Sequence, residues 1–224
     1  VSSSGIAITD PTTQATITAV NGVFSLAPNL PNITGRIVNS LGQPVGSKNS
    51  AWVNVNLQKW LAAENRWEWV NGGNAPVLSD GTFGMRANET GTYRLSIQSN
   101  GRIDVANTFS SQFVITDLNS LSARGDIAMA QPILKVRVTQ NGRTSYLNSA
   151  QINVSDRNGY DDWADTGTLG AAPISFPGAG TYYLTVNPPY GLSTAVAANR
   201  TYVAVVTDNS GTLSASITGL TASA

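Results

Sequence analysis

The residues between positions 156 and 165 carry the densest set of side chains that can bind a metal ion. Four of them stand close to one glycine: Asp156, Asn158, Asp161 and Asp162. Carboxylate and amide oxygens are the ligands that Ca²⁺ takes from proteins, although this run lacks the bidentate Glu and the spacing of an EF-hand loop. Two interpretations stay open, a calcium site built from these four residues and a solvated acidic loop. No other cofactor is expected.

Aromatic rings form a second group of side chains that can bind ligands. Four tryptophans fall within residues 52–69: Trp52, Trp60, Trp67 and Trp69. The corresponding region of the second half holds Tyr160 and Trp163. Exposed rings of this kind stack on sugar faces at little cost in conformational entropy, so five residues are candidate ligand contacts: Trp60, Trp67, Trp69, Tyr160 and Trp163. The alternative is packing, in which Trp52 fills a core and Trp67 and Trp69 cover one face of a hairpin.

Histidine and cysteine are both absent from the 224 residues. Their absence excludes the commonest general base, the usual zinc ligands, thiol nucleophiles and disulfides. The scattered Asp and Glu residues form no recognisable acid–base pair. We therefore assign no catalytic residue and predict that the chain is not an enzyme.

Charge is sparse and balanced, with 13 Lys and Arg against 13 Asp and Glu, and 12% of residues charged. Such a chain has no broad field to attract nucleic acid. No apolar run approaches the roughly 18 residues that a spanning helix needs, so no membrane insertion is expected either. A chain without cysteine fits the surface repeats of bacteria or archaea, and we expect an extracellular or cell-surface location.

Short runs rich in Val, Ile, Thr, Tyr and Trp recur between Gly, Pro, Asn, Asp and Ser, which is typical of an all-β fold. The clearest strands are Ile6 to Ile8, Thr16–Ala19, Arg36–Val38, Trp52–Leu57, Tyr93–Ile97, Phe113–Ile115, Val136–Val138, Gln151–Val154, Tyr182–Val186 and Tyr202–Val206. Tight turns are predicted at the Asn-Gly pairs that begin at Asn21, Asn71, Asn100, Asn141 and Asn158. Leu57–Glu68 fits a short helix or a hairpin.

An internal repeat divides the chain. Residues 50–55 (SAWVNV) return as residues 149–154 (SAQINV), an offset of 149 − 50 = 99, and residues 91–97 (GTYRLSI) return as residues 180–186 (GTYYLTV), an offset of 180 − 91 = 89. Residues 113–117 (FVITD) followed by 120–123 (SLSA) resemble residues 205–208 (VVTD) followed by 212–215 (TLSA). This closing element also occurs near the start, as residues 6–10 (IAITD) followed by 14–16 (QAT).

The repeat predicts two whole units, at about 29–130 and 131–224, preceded by residues 1–28 as a partial repeat or a strand-donating segment. Each whole unit has enough residues for one ordinary β-sandwich domain. The predicted fold is therefore all-β, with two tandem immunoglobulin-like or transthyretin-like sandwiches after an extra β-strand segment.

Five motifs follow one another in order in the first unit, at residues 33–38 (ITGRIV), 41–45 (LGQPV), 51–55 (AWVNV), 80–83 (DGTF) and 91–95 (GTYRL). With these motifs the first unit resembles the carboxypeptidase regulatory-like and Cna B-type repeats of bacterial surface proteins. The resemblance implies a transthyretin-like sandwich with a structural or adhesive role and no shared active site.

These patterns favour a non-catalytic structural or adhesive module of a surface protein, stalk or filament, whose partners are neighbouring repeats or copies of itself. Two alternatives remain. The first is a carbohydrate-binding module that uses Trp52, Trp60, Trp67 and Trp69 to bind a glycan or host-surface ligand. The second is a self-assembling subunit in which residues 1–28 add strands to a neighbour.

Overall fold

The computed structural model describes residues 6–10, 15–20, 23–28, 30–47, 51–139, 145–189 and 200–218. Every helix or strand assigned in these residues is a β-strand, which confirms the all-β prediction. The described residues contain no helix with the length and apolarity needed to cross a membrane.

Eighteen strands are found in the described residues. They are β1 (Ile6–Asp10), β2 (Ala15–Val20), β3 (Val23–Pro28), β4 (Ile33–Val38), β5 (Trp52–Leu61), β6 (Arg66–Pro76), β7 (Thr82–Met85), β8 (Gly91–Asn100), β9 (Thr108–Phe109), β10 (Phe113–Ile115), β11 (Ser122–Ala128), β12 (Leu134–Val136), β13 (Gln151–Ser155), β14 (Asp161–Asp165), β15 (Ala172–Ile174), β16 (Gly180–Asn187), β17 (Arg200–Asn209) and β18 (Thr212–Thr218). We refer to residues 30–130 as the first unit and residues 131–218 as the second unit.

The N-terminal strands form a separate antiparallel sheet in the order β1-β2-β3. Ile6 of β1 stands opposite Ala19 of β2, and Val20 of β2 stands opposite Val23 of β3. Within the described residues these three strands pair only with one another. Strands β1, β2 and β3 thus form a sheet of their own ahead of the first unit.

The first unit packs two sheets around one core. One sheet has the order β10-β8-β5-β6, with β9 paired to β8, and the other has the order β11-β4-β7. Both sheets contribute buried side chains to a single cluster, which includes Ile33, Ile37, Val53, Val55, Leu57, Phe83, Met85, Tyr93, Leu95, Ile97, Phe113, Ile115 and Met129. Burial of each large aliphatic side chain contributes about 1.5–3 kcal/mol, so this core stabilises the two-layer packing of the unit.

Strand β5 shows how alternation selects the buried face. Val53, Val55 and Leu57 have no exposed surface, while the intervening residues are half-buried. Trp52 belongs to the second set, because adjacent strand residues point to opposite faces of the sheet. The interpretation that Trp52 fills the core is therefore wrong.

The second unit also packs a large sheet against a small one, but its small sheet has fewer strands than that of the first unit. Its five-stranded sheet has the order β14-β13-β16-β17-β18, and only β12 and β15 form the second sheet in the described residues. The buried cluster between them includes Ile152, Val154, Ala164, Ala172, Ile174, Phe176, Tyr182, Leu184, Ala204 and Val206. Strand β12 begins and ends two residues earlier than the predicted Val136–Val138 strand.

The closing element, predicted from its sequence to be the same in both units, takes two different structures. In the first unit, Asp117 accepts hydrogen bonds from the Asn119 N–H (2.9 Å) and the Ser120 hydroxyl (2.7 Å), and the chain then leaves β10 for the other sheet. There β11 pairs in parallel with β4. In the second unit, Ser210 and Gly211 have φ angles of 56° and 86°, as a type I′ turn requires, and β18 folds back on β17. The two strands of the closing element thus form an antiparallel hairpin in the second unit, and also in the N-terminal copy as β1 and β2, but they do not pair with each other in the first unit.

The turn predictions had mixed outcomes. Asn100-Gly101 ends β8, and Asn158-Gly159 lies in the turn between β13 and β14, as predicted. Asn71-Gly72 is instead inside β6, opposite the register shift of β5. Leu57–Glu68 forms a hairpin and not a helix. Its turn comprises residues 62–65, in which Asn65 has a φ of 52°. The pairs that begin at Asn21 and Asn141 lie outside the described residues.

Candidate functional site

The turn at residues 156–160 accounts for part of the candidate calcium site. The Asp156 carboxylate accepts hydrogen bonds from the N–H groups of Asn158 (2.7 Å) and Tyr160 (2.9 Å). These bonds, that from Asn158 first, hold the pKa of Asp156 below its usual value. Asp156 therefore closes a turn through bonds to the backbone.

The remaining candidates do not converge on Asp156. Asp161 and Asp162 are consecutive in β14, so their side chains leave opposite faces of the strand. In the described residues, no three Asp, Glu, His or Cys side chains come together in a group that could hold a metal ion. Calcium binding by these residues thus stays an untested prediction that this geometry does not favour.

The tryptophans of the β5–β6 hairpin lie on the outward face of the first unit. Trp60 stands opposite Trp67 in the strand register, and their ring centroids are 5.2 Å apart. The Arg94 guanidinium carbon lies 4.5 Å from the Trp67 ring centroid, and its Nε donates to the Gln58 side chain at 2.7 Å. Burial lowers the pKa of Arg94 to about 10. Trp60 and Trp67 are thus packed side chains rather than a free platform.

A row of aromatic rings continues from Arg94 into the second unit. The Arg94 guanidinium carbon is also 4.1 Å from the ring centroid of Phe109, in β9. Phe109 meets Tyr160 edge-on at 6.4 Å, and Tyr160 meets Tyr182 edge-on at 5.8 Å. Because Tyr182 belongs to the core of the second unit, Tyr160 connects the outer face of one unit to the interior of the other.

Asn107 adds a polar connection beside this row. Its side-chain oxygen accepts the Ser99 N–H at 3.0 Å, and its amide nitrogen donates to the carbonyl of Trp163. Its backbone carbonyl accepts a hydrogen bond from the Ser175 hydroxyl at 3.2 Å. Asn107 is buried, so if these bonds were broken its polar atoms could not form replacement hydrogen bonds with water. We call the contact formed by Asn107, Phe109, Tyr160, Asp162 and Trp163 the junction.

Asp162 brings an ionisable group into the junction. One carboxylate oxygen is 3.4 Å from the Asn107 amide nitrogen, and the other is 3.5 Å from the Tyr160 hydroxyl. Burial raises the pKa of Asp162 to about 6, although hydrogen bonds from Trp163, Asn107 and Tyr160 act in the opposite direction. Burial also raises the pKa of Tyr160, so its hydroxyl stays protonated. The junction therefore contains a carboxyl group that titrates in a mildly acidic range.

Trp69 has a different environment from the other candidate rings. It is 53% exposed, whereas Trp60, Trp67, Tyr160 and Trp163 are half-buried. A depression of about 430 Å³ beside it is lined by Asn56, Trp69, Val70, Asn71, Gly72, Gly73 and Asn74. An exposed indole next to amide side chains offers stacking and hydrogen bonding together, which is the chemistry that a sugar ring uses.

Comparison with known proteins gave distant structural likenesses alone. No protein-family model matches the sequence, and a search of curated proteins found no match. A streptococcal ancillary pilin is 12% identical with a TM-score of 0.34, over 85% of this chain and 59% of the pilin, so the chain spans 59% of that protein's length. A DUF3823 family protein from Parabacteroides merdae is 14% identical with a TM-score of 0.25, over 69% of this chain and 89% of its own. We therefore infer function from the contacts within this chain.

The sequence identifies most of the aromatic residues of this region but does not predict their contacts with one another. Ligand contact by Trp60, Trp67 and Tyr160 stays a prediction. In the structure Trp60 packs on Trp67, Trp67 lies under Arg94, and Tyr160 meets Phe109. Asn107 and Phe109 lie in no motif of the sequence, and Arg94 lies in the repeated residues 91–97, where its position is taken by Tyr183 in the second unit. The internal repeat gave one indication. It aligns the segment of β14 with that of β6, and since both are edge strands, Tyr160, just before β14, lies near the edge of a sheet.

Proposed function

We propose that the chain is a non-catalytic structural module of an extracellular or cell-surface assembly, such as a stalk or filament, in which adjoining β-sandwich units are held in a fixed arrangement. The observation that carries this proposal is the junction. A tether between freely moving domains needs no buried contacts, whereas this junction combines a buried amide with edge-on aromatic pairs. A module that transmits force or keeps spacing requires such a joint.

The carboxylates of the chain support a structural role over acid–base chemistry. Asp80 and Asp117 accept hydrogen bonds in turns, and Glu89 and Asp126 form ion pairs with Lys59 and Arg36. These interactions hold the pKa of each carboxyl below its usual value. General acid catalysis requires the opposite shift, and Asp162, whose pKa is raised, lies within the junction.

Removing the central amide tests the fixed arrangement. We expect Asn107→Ala to increase the motion between the units. In small-angle X-ray scattering this motion should appear as a larger radius of gyration and as a Kratky plot that decays less at high angle. The reason is that the Trp163 carbonyl and the Asn107 amide lose their bond across the junction. The wild-type protein should scatter as one rigid, elongated particle.

Asn56→Ala is the matched control for that experiment, because the Asn56 side chain bonds within the first unit, to Gln98 at 3.2 Å. Its scattering should equal that of the wild type. A wild-type profile that already requires independent motion of the units would contradict the proposal. Surface location is tested separately, by protease treatment of intact cells that carry an epitope on the chain.

A second candidate function is glycan binding, and the observation that favours it is the exposed Trp69 beside the amide-lined depression. We expect Trp69→Ala to abolish any binding on a glycan array, since a single stacked aromatic ring supplies much of the binding energy of such weak complexes. Tyr146→Ala, which removes an exposed ring elsewhere, should leave binding unchanged. A wild-type protein that binds no glycan on the array removes this candidate.

A further inference from the structure

The outer face of the large sheet of the first unit carries a row of amide side chains. Asn54 and Asn56 of β5 point away from the core, because the residues that alternate with them in the strand fill it. Asn54 stands opposite Gln98 of β8, and Asn56 stands opposite Asn74 of β6. The Asn56 side chain donates a hydrogen bond to the Gln98 side chain at 3.2 Å across this face. Amide groups thus continue from β6 through β5 to β8.

Two tryptophans bracket the amide row. Trp52 begins β5 on the same outer face, and Trp69 of β6 stands opposite Gln58 of β5. Because residues 52 and 58 are six positions apart in one strand, the two rings are attached about 20 Å apart along it. Trp60 and Trp67 are packed on each other, whereas Trp52 and Trp69 make no ring–ring or cation–ring contact with any described residue. The two bracketing rings are therefore the ones available to a ligand.

An irregularity of the sheet produces the depression beside Trp69. Between two regular pairs of the β5–β6 ladder, residues 70–73 of β6 stand against Leu57 alone. Gly73 permits this approach, because a Cβ atom there would lie 2.9 Å from the Val70 Cβ atom and 3.0 Å from the Leu57 Cβ atom. The extra residues line the depression and leave the Trp69 indole exposed beside it. Bulges on edge strands occur next to binding and active sites, where they redirect side chains.

The amides of this face have hydrogen-bonding capacity left for a ligand. The side chains of Asn54, Asn71 and Asn74 make no hydrogen bond with another described residue. Each amide side chain offers N–H donors and a carbonyl acceptor. A sugar hydroxyl both donates and accepts, so two adjacent hydroxyls can bond both ends of one amide. Such amides beside an indole ring fit the edges and the face of a sugar.

The charge of this face indicates which sugars it accepts. Every residue that lines the depression is uncharged, and so is every residue from Trp52 to Gln58. Arg94, the one charged residue of β8, already donates to the Gln58 side chain and lies over the ring of Trp67. An acidic sugar would lose the water around its carboxylate here without gaining a cation as a partner. The face therefore favours a neutral glycan.

The spacing of the rings indicates the shape of the glycan. A ligand that contacts Trp52 and Trp69 together must stay extended over about 20 Å. Chains of β-1,4-linked sugars are extended ribbons, whereas α-1,4-linked and β-1,3-linked chains coil. The ring faces of such a ribbon can stack on indoles while its hydroxyl groups point sideways to the amides.

We propose that the outer face of β5, β6 and β8 binds one chain of a neutral β-1,4-linked polysaccharide. One sugar stacks on Trp69 and another on Trp52, and the amides between the two rings bond the hydroxyl groups of the sugars between them. This inference rests on the glycan-binding candidate and deepens it, because it names the class of ligand and extends the site beyond the depression.

The dependence of affinity on chain length tests the extended site. Isothermal titration calorimetry is carried out with cello-, xylo- and manno-oligosaccharides from disaccharide to hexasaccharide. We expect the affinity of the wild type for at least one series to increase up to the hexasaccharide. Trp52→Ala should lower the affinity for that hexasaccharide about tenfold, the effect of one stacked ring, and should leave the affinity for the shortest member that binds unchanged.

A second pair of variants keeps the test valid if Trp52→Ala, which removes a half-buried ring, does not fold in thermal melts. Asn54→Ala removes an amide from the middle of the row and should weaken the binding of the longer oligosaccharides alone. Asn88→Ala is its matched control, because Asn88 is exposed in the loop before β8 and should leave every affinity unchanged.

The outcomes separate the extended site from the glycan-binding candidate. A wild type that binds glycans on the array, but with an affinity that does not increase along any β-1,4-linked series, overturns the extended site and leaves the depression beside Trp69. Equal weakening of the shortest and longest members by Trp52→Ala or Asn54→Ala overturns it as well. Alginate, an acidic polysaccharide, should not retard the protein in affinity gel electrophoresis, whereas a neutral β-1,4-linked glucan, xylan or mannan should. Equal retardation by alginate overturns the neutral class of ligand, and a wild type that binds no glycan removes both proposals.

Discussion

Asn32→Ala is expected to lower the free energy of unfolding of the first unit by about 3 kcal/mol. The Asn32 side chain is buried, its oxygen accepts the Ala87 N–H at 2.8 Å, and its nitrogen donates to the carbonyls of Ala87 and Leu118, each at 3.0 Å. Alanine would leave one donor and two acceptors without partners and would open a small cavity. The loops before β8 and after β10 would lose their common attachment to the entrance of β4.

Urea denaturation monitored by tryptophan fluorescence measures this loss. Asn88→Ala is the matched control, because Asn88 follows Ala87 in the chain and is exposed, so its removal should change the free energy of unfolding by less than about 0.5 kcal/mol. An Asn32→Ala variant as stable as Asn88→Ala would show that water or neighbouring groups replace the lost bonds. The experiment therefore distinguishes a structural amide from an ordinary loop asparagine.

Alternation was the reliable guide to the strands. In β5, the sequence Trp52-Val53-Asn54-Val55 predicts a strand with valines on one face, and the buried valines confirm it. In β12, apolar residues continue at alternate positions to Val138, but β15 is only three residues long and ends the ladder at Val136. The period of a sequence thus predicts which residues face inward, while the length of the partner strand decides where the ladder ends.

The sheet that the second strand of the closing element joins could not be predicted from the sequence that the two units share. Residues 121–123 and 213–215 are both Leu-Ser-Ala, yet β11 joins the small sheet and β18 the large one. The difference arises in the connection. Ser210-Gly211 adopts positive φ angles that fold the chain back, whereas Asp117 caps a turn that directs it across the sandwich. Two or three turn residues therefore changed the sheet to which a whole strand belongs.

The junction was invisible to sequence analysis for a related reason. Phe109 lies in the two-residue strand β9, and Asn107 immediately precedes it. A strand this short gives no periodic pattern in the sequence. Their partners Tyr160 and Asp162 were assigned from composition to a ligand surface and to a calcium site. Only the packing of one unit against the other gives these residues a common role. Contacts between units depend on the angle at which they meet, and that angle leaves no pattern in either sequence.

Asp162→Asn is expected to stabilise the protein at neutral pH and to remove part of its pH dependence. The pKa of Asp162 is about 6 in the folded chain, above the ordinary aspartate pKa of 3.8 that applies to the unfolded chain. The folded state therefore holds the proton more tightly, so this residue's contribution is fully present below pH 4 and is lost as pH rises through 6. The difference corresponds to at most about 3 kcal/mol, because one pKa unit equals about 1.4 kcal/mol.

Thermal and urea unfolding of the wild type and variants at pH 4, 6 and 7.5 test this sign. The difference in free energy between Asp162→Asn and wild type should be near zero at pH 4 and should increase in favour of the variant up to pH 7.5. Working with differences removes the opposite trend of carboxylates such as Asp126, whose pKa is lowered by Arg36. Asp161→Asn, on the opposite and exposed face of β14, should parallel the wild type at every pH. If Asp162→Asn is instead less stable than wild type at pH 7.5, the ionised carboxylate holds the junction together through its bonds to Asn107 and Tyr160, and the junction must then weaken rather than tighten in acid.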